Sequence, residues 1–157
     1  MGGMTAYHRL RQTGATVEFT LCLQQPGSGV LIQNIDALRV AWARTLAELP
    51  VRRQAVTVLP DALHAIWTEP EGVSAYPERW RRIKARFSRA VDGDFAPRPS
   101  LQRRRERGLW QRRYWEHHIR DAQDLDRALT ACRMAPVWQG LVQCPEDWPY
   151  SSFARRA

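Results

Sequence analysis

Apolar and polar residues alternate at the start of Thr16-Val-Glu-Phe-Thr-Leu-Cys-Leu23, a run rich in β-branched and aromatic side chains. This pattern predicts a strand, closed by the turn residues Pro26-Gly-Ser-Gly29. The period then lengthens. Ile35, Leu38, Trp42, Leu46 and Leu49 recur at helical spacing, with Asn34 placed to cap the helix and Pro50 to end it. Residues 55–59 and 63–68 read as two short strands joined by a Pro60-Asp61 turn. Over residues 76–91 the stripe Trp80, Ile83, Phe87 and Val91 predicts a second helix, with Arg79, Arg82, Arg86 and Arg89 on its opposite side.

Residues 92–108 mix Gly, Pro, Ser and Arg without apolar periodicity and predict a mobile basic loop. An aromatic and basic strand is expected over residues 109–119. A last helix should open at Asp121 as N-cap, with Asp124 adding charge near its N-terminus, and run through Leu125, Leu129 and Cys132 to Ala135-Pro136. The tail Asp147-Trp-Pro-Tyr-Ser-Ser-Phe153 is aromatic enough to pack. The order strand, helix, strand, strand, helix, strand, helix predicts an α+β fold of the split βαβ kind. Its antiparallel sheet carries helices on one face, plus an extra C-terminal helix.

At 157 residues and 44% hydrophobic content the chain suits one domain over 1–157, with 1–13 and 154–157 expected to fray. Cys22, Cys132 and Cys144 are odd in number and lack the close spacing of zinc ligands, so they read as buried small residues. No 18-residue apolar run and no leader-like segment occurs. A cytoplasmic protein without a membrane partner is therefore expected.

Charge changes this picture most. The chain carries 24 basic and 16 acidic side chains, a net +8, and Lys84 is its only lysine. Thirteen of the 24 basic residues fall within residues 79–113. Arginine grips phosphate with a planar fork and also stacks on bases, so a polyanionic partner is expected. Trp110, Tyr114 and Trp115 lie among these arginines, as in proteins that hold unpaired bases. The candidate DNA-binding set is Arg79, Arg82, Arg86, Arg89, Arg103, Arg104, Arg105, Arg112, Arg113, Trp110 and Tyr114. Against it stands the plainer reading, in which Trp110 and Trp115 are core and the arginines a solvated face.

Three segments are more specific: Leu59-Pro-Asp-Ala-Leu-His-Ala-Ile-Trp67, Gly108-Leu-Trp-Gln-Arg-Arg-Tyr-Trp-Glu-His117 and Trp148-Pro-Tyr-Ser-Ser-Phe153. They resemble the REP-associated tyrosine transposases, relatives of the His-hydrophobic-His single-strand (IS200-like) transposases. The resemblance implies a ferredoxin-like fold and an enzyme that cuts single-stranded DNA beside hairpins, through a tyrosine that joins the 5′-phosphate. It also implies a divalent metal held by two histidines one residue apart, which strand geometry places on one sheet face.

Here the histidine positions are Ala62 and His64. The resemblance puts the nucleophilic tyrosine at Ala131 and, one turn later, the metal-binding asparagine at Ala135. A methyl group neither ligates a metal nor attacks phosphorus. His64 then reads as a structural or remnant group, and no cofactor is expected unless cleavage persists with Mg²⁺ or Mn²⁺. Tyr114 and Tyr150 lie outside the nucleophile's place. His117 and His118, adjacent on a strand, face opposite sides and cannot pair as ligands, and Glu116 and Asp61 have no acid/base spacing.

The implied function is a catalytically degenerate relative that binds single-stranded or hairpin DNA as monomer or homodimer. The competing readings are an active transposase forming a phosphotyrosine link, and an RNA-binding or regulatory module.

Overall fold

A computed structural model of the chain describes residues 14–91 and 108–156. Four strands form a single sheet: β1 Thr16–Cys22, β2 Arg52–Val58, β3 Ala62–Thr68 and β4 Trp115–His118, in the order β2-β3-β1-β4. Every neighbouring pair is antiparallel. The helices are α1 Val30–Gln33, α2 Ile35–Glu48, α3 Tyr76–Ala90 and α4 Ala122–Trp138. A 3₁₀ turn covers Pro145–Asp147. This is the α+β split βαβ arrangement that the order of patterns predicts.

Strand alternation sorts the sheet into two faces. Val17, Phe19 and Leu21 on β1 and Leu63, Ala65 and Trp67 on β3 point to the face that α2 and α3 cover, and all are buried in one core. Its centre is aromatic. Trp67 stacks on Trp80 of α3 at 4.0 Å between centroids, while Phe19 meets both indoles edge-on. The other face carries a smaller core, in which Ala55 and Ile66 meet Ala128 and Cys132 of α4. The C-terminal helix thus closes the face that the first two long helices leave open.

Three local expectations change. Asn34 makes no side-chain cap; its amide donates to Val30 O at 2.9 Å, because the extra turn α1 precedes it. The strand expected over 109–119 shrinks to Trp115–His118, with Trp110 contributing only an isolated bridge to Leu23. Of the cysteines, Cys132 is buried whereas Cys22 and Cys144 are half-buried. The loop expected over 92–108 and the frayed N-terminus over 1–13 fall, Gly108 apart, outside the described residues.

α4 begins as expected, with the Asp121 carboxylate accepting from the Asp124 N–H at 2.7 Å. It does not stop at Pro136. Proline has no N–H for the carbonyl of Cys132, and that carbonyl accepts instead from the Thr57 hydroxyl at 2.7 Å. The helix ends two residues later in a Schellman motif, with Gly140 at φ 74°, Gly140 N–H on Val137 O and Leu141 N–H on Pro136 O.

The tail motif also has a fixed place. Tyr150 O accepts from Val58 N–H and Ser152 N–H donates to Val56 O, both at 2.8 Å. Trp148 Nε1 donates to Val58 O at 2.8 Å. The outer edge of β2 is thereby paired rather than left open to another strand.

Candidate nucleic-acid interface and the His64 recess

The face closed by α4 carries a row of side chains set by strand register. Thr57 on β2 pairs with His64 on β3, His64 with Thr20 on β1, and Thr20 with Trp115 on β4. Residues directly opposite in antiparallel strands share a face, so these four side chains lie side by side. His64 Nδ1 is 3.0 Å from Thr20 Oγ1. Among the described residues its other nitrogen has no protein partner. Burial lowers the pKa of the ring, with the Glu18 carboxylate opposing that shift.

α4 lays Ala131 and Ala135 over His64. The three line one recess of about 250 Å³, together with Glu18, Thr20 and, at the helix end, Trp138. Ala62 sits two residues before His64 on the same strand and faces the same side, paired with Cys22, but does not line the recess. The positions to which the resemblance assigns a nucleophile and a ligand therefore converge on the remaining histidine. What converges is one imidazole and two methyl groups.

This donor set does not fit a divalent metal. One ring nitrogen is taken by Thr20. The Glu18 carboxylate is bound by Arg127 at 2.8 Å. Burial pushes the Cys132 thiol up to about 11, so it is no thiolate at neutral pH. Among the described residues no three His, Cys, Asp or Glu side chains are grouped so as to hold a metal.

Beside the recess lies a charged cluster without an obvious sequence signal. The buried Asp124 carboxylate receives His117 Nε2 at 2.8 Å, the Arg120 N–H at 3.0 Å and Arg127 Nε at 3.2 Å. Burial alone would raise its pKa. The Arg120 N–H, His117 and Arg127 together outweigh this and hold it well below the ordinary carboxylate range. The two adjacent histidines do face opposite ways: His118 lies against the Tyr76 ring on the other side of the sheet.

The candidate DNA-binding residues separate into three groups. Arg79 is not on the exposed side of α3. It is buried, and its guanidinium pairs with Glu69 at 2.7 and 3.1 Å and donates to the Leu49 and Pro50 carbonyls. Trp110 is likewise not a free stacking platform, being 9% exposed and edge-on to Phe87 in the core. Tyr114 is half-buried, its ring 6.0 Å from Phe19 and 6.4 Å from Trp80, with its pKa raised by burial. Trp110 lies in the core, as the plainer reading has it, whereas Arg79 belongs neither to a DNA-facing nor to a solvated face but is a buried ion-pair partner.

The second group is exposed or half-exposed but engaged. Arg82 and Arg86 both pair with Glu48 of α2, at 2.7 and 2.6 Å, and Arg82 also reaches Glu78. Arg81 and Arg82 hold the Glu78 carboxyl down at about 2. The third group, Arg89, Arg112 and Arg113, is exposed. Arg89 and Arg112 share a shallow groove with Lys84, Ser88 and Trp110 where α3 runs past residues 108–112. Arg103, Arg104 and Arg105 lie outside the described residues.

Trp115, which only the plainer reading places in the core, is 50% exposed and stacked on His117. Trp138, which the helix pattern did not single out, is 66% exposed at the rim of the recess.

No family model matches the chain. A REP-associated tyrosine transposase of Escherichia coli K12 is 34% identical over 152 residues, covering 97% of this chain and 84% of that protein. A Haemophilus influenzae protein described in the same terms is 36% identical over 153 residues, covering 97% and 87%. The chain belongs to the REP-associated tyrosine transposases. Among solved structures, a transposase of this family bound to a REP hairpin is similar at TM-score 0.79 and 33% identity, covering 90% of this chain and 78% of that one. Within this transposase fold, no described helix is long and apolar enough to cross a membrane.

Proposed function

We propose that this REP-associated tyrosine transposase binds single-stranded or hairpin DNA and has lost strand cleavage. The observation that carries the reading is the convergence of Ala131 and Ala135 on His64 in one recess, where the family chemistry calls for a nucleophile and metal ligands. DNA binding is supported by the hairpin-bound family structure, by the net charge of +8 and by the exposed Arg89, Arg112 and Arg113. In this reading the arginines neutralise the backbone while exposed rings stack on unpaired bases.

The test has two arms. A hairpin oligonucleotide should shift the protein in a gel where an unrelated duplex of equal length does not, with affinity falling steeply as salt rises. Equal or absent binding rejects the DNA half. In the second arm, a 5′-labelled hairpin incubated with Mg²⁺ or Mn²⁺ should leave no denaturant-resistant adduct. The triple substitution Ala62→His, Ala131→Tyr, Ala135→Asn should acquire metal binding. An adduct with the natural chain restores the transposase reading, and a triple variant that binds no metal shows that the centre lies elsewhere.

A further inference from the structure

Where the family chemistry handles a phosphate and a metal, this chain presents a recess whose lining suits neither. Among the described residues no lysine or arginine lines it. The Arg127 guanidinium, which binds the lining residue Glu18 at 2.8 Å, is also committed to Asp124 at 3.2 Å. A phosphate entering there would meet the Glu18 carboxylate without an opposing free cation, an unfavourable exchange for a hydrated anion.

A neutral, flat, hydrogen-bonding group is matched instead. The floor offers Thr20, the unpartnered nitrogen of His64 and the Glu18 carboxylate. The wall offers the methyl groups of Ala131 and Ala135, and the rim offers the Trp138 indole, 66% exposed. Among the described residues only two aromatic side chains rank as exposed large hydrophobics, Trp138 and Trp115. Both belong to the sheet face that holds the recess, Trp115 through its pairing with Thr20.

We infer that the recess over His64 is a nucleobase pocket, taking one unpaired base of bound DNA between the Ala131/Ala135 wall and the Trp138 ring. The inference rests on the DNA-binding reading and gives it a specific site. The two missing side chains are then what opens the pocket: a tyrosine at 131 would occupy the space that the base needs. Glu18 and the histidine nitrogen favour a base edge that carries an N–H donor beside an acceptor, which every nucleobase presents on its Watson–Crick edge.

The experiment scans a hairpin with a single-stranded extension, replacing each unpaired nucleotide in turn by an abasic residue, against the full chain. One position should stand out, its abasic form binding about tenfold more weakly, as loss of one base–aromatic stack predicts. With 2-aminopurine at that position, fluorescence should be quenched on binding. In Ala131→Phe, which fills the recess, and in Trp138→Ala, the abasic penalty and the quenching should both vanish while affinity for the blunt hairpin is kept.

Hairpin binding with no privileged unpaired position, or a penalty that persists in both variants, overturns the pocket and leaves the DNA-binding reading standing. Absence of binding to every hairpin overturns both. Because the decisive change is made in the DNA, the outcome does not depend on a variant that folds poorly.

Discussion

The Arg79 guanidinium holds the Glu69 carboxylate with two hydrogen bonds, 2.7 and 3.1 Å long, and both side chains are 1% exposed. Arg79 also donates to Leu49 and Pro50 carbonyls and lies 5.2 Å from the Trp67 ring. One residue thus ties the end of β3, the exit of α2 and the first turn of α3 together. Removing it leaves a buried carboxylate and two carbonyls without their donor. Arg79→Ala should cost about 3–5 kcal/mol in urea unfolding, the range for breaking a buried ion pair. If the variant unfolds with natural stability but loses hairpin affinity, Arg79 is a DNA contact after all.

The bond from Thr57 to the Cys132 carbonyl exists because Pro136 leaves that carbonyl unpaired within α4. Thr57→Val should therefore destabilise by about 1–3 kcal/mol, the penalty of a buried unsatisfied polar group. Pro136→Ala supplies the missing helix N–H, so in that background the same valine substitution should cost clearly less. Additive effects in the double variant would show that the hydroxyl and the proline act independently.

Periodicity resolved the fold well because burial here follows it: the stripe Trp80, Ile83 and Phe87 is in the core, and β1 alternates as read. It failed where a charged or aromatic side chain finds its partner far along the sequence. Arg79 looks like its neighbours on a helical wheel, and only Glu69 and the Leu49 carbonyl, brought close by the tertiary fold, distinguish it. By sequence Trp110 and Trp115 are equal candidates for stacking or core, yet the bridge to Leu23 buries the first, and the edge position of β4 leaves the second half exposed. At the recess, family resemblance located Ala131 and Ala135, but nothing in the spacing pointed to Trp138. It lies beyond Pro136, where the helix was expected to stop.

Burial depresses the pKa of His64 in the folded chain, so the unfolded chain binds the proton more readily. Stability should then be complete above the ordinary histidine value of 6.5 and decline as pH falls from there toward the depressed folded value. His64→Gln should flatten that part of the profile. Asp124, held low, adds its own loss only below 3.8, where the unfolded carboxyl protonates, so the two windows are separable by unfolding at stepped pH. A His64→Gln profile parallel to the natural one as pH falls below 6.5 toward the carboxylate range would contradict the assignment.

Glu48 is the acidic residue that Arg82 and Arg86 share across the α2–α3 contact, at 2.7 and 2.6 Å, and their hydrogen bonds lower its pKa. If the α3 arginines face DNA, this carboxylate competes with phosphate for the same two forks. Glu48→Gln keeps the side-chain shape, removes that competitor and raises the net charge by one. The exposed pairs contribute little to stability, at most about 1 kcal/mol each, so the fold should persist. Hairpin affinity should rise, and the slope of log affinity against log salt should steepen by up to about one unit for each arginine that gains a phosphate. An unchanged slope would mean that this face of α3 points away from the DNA, leaving Arg112 and Arg113 as the described phosphate contacts.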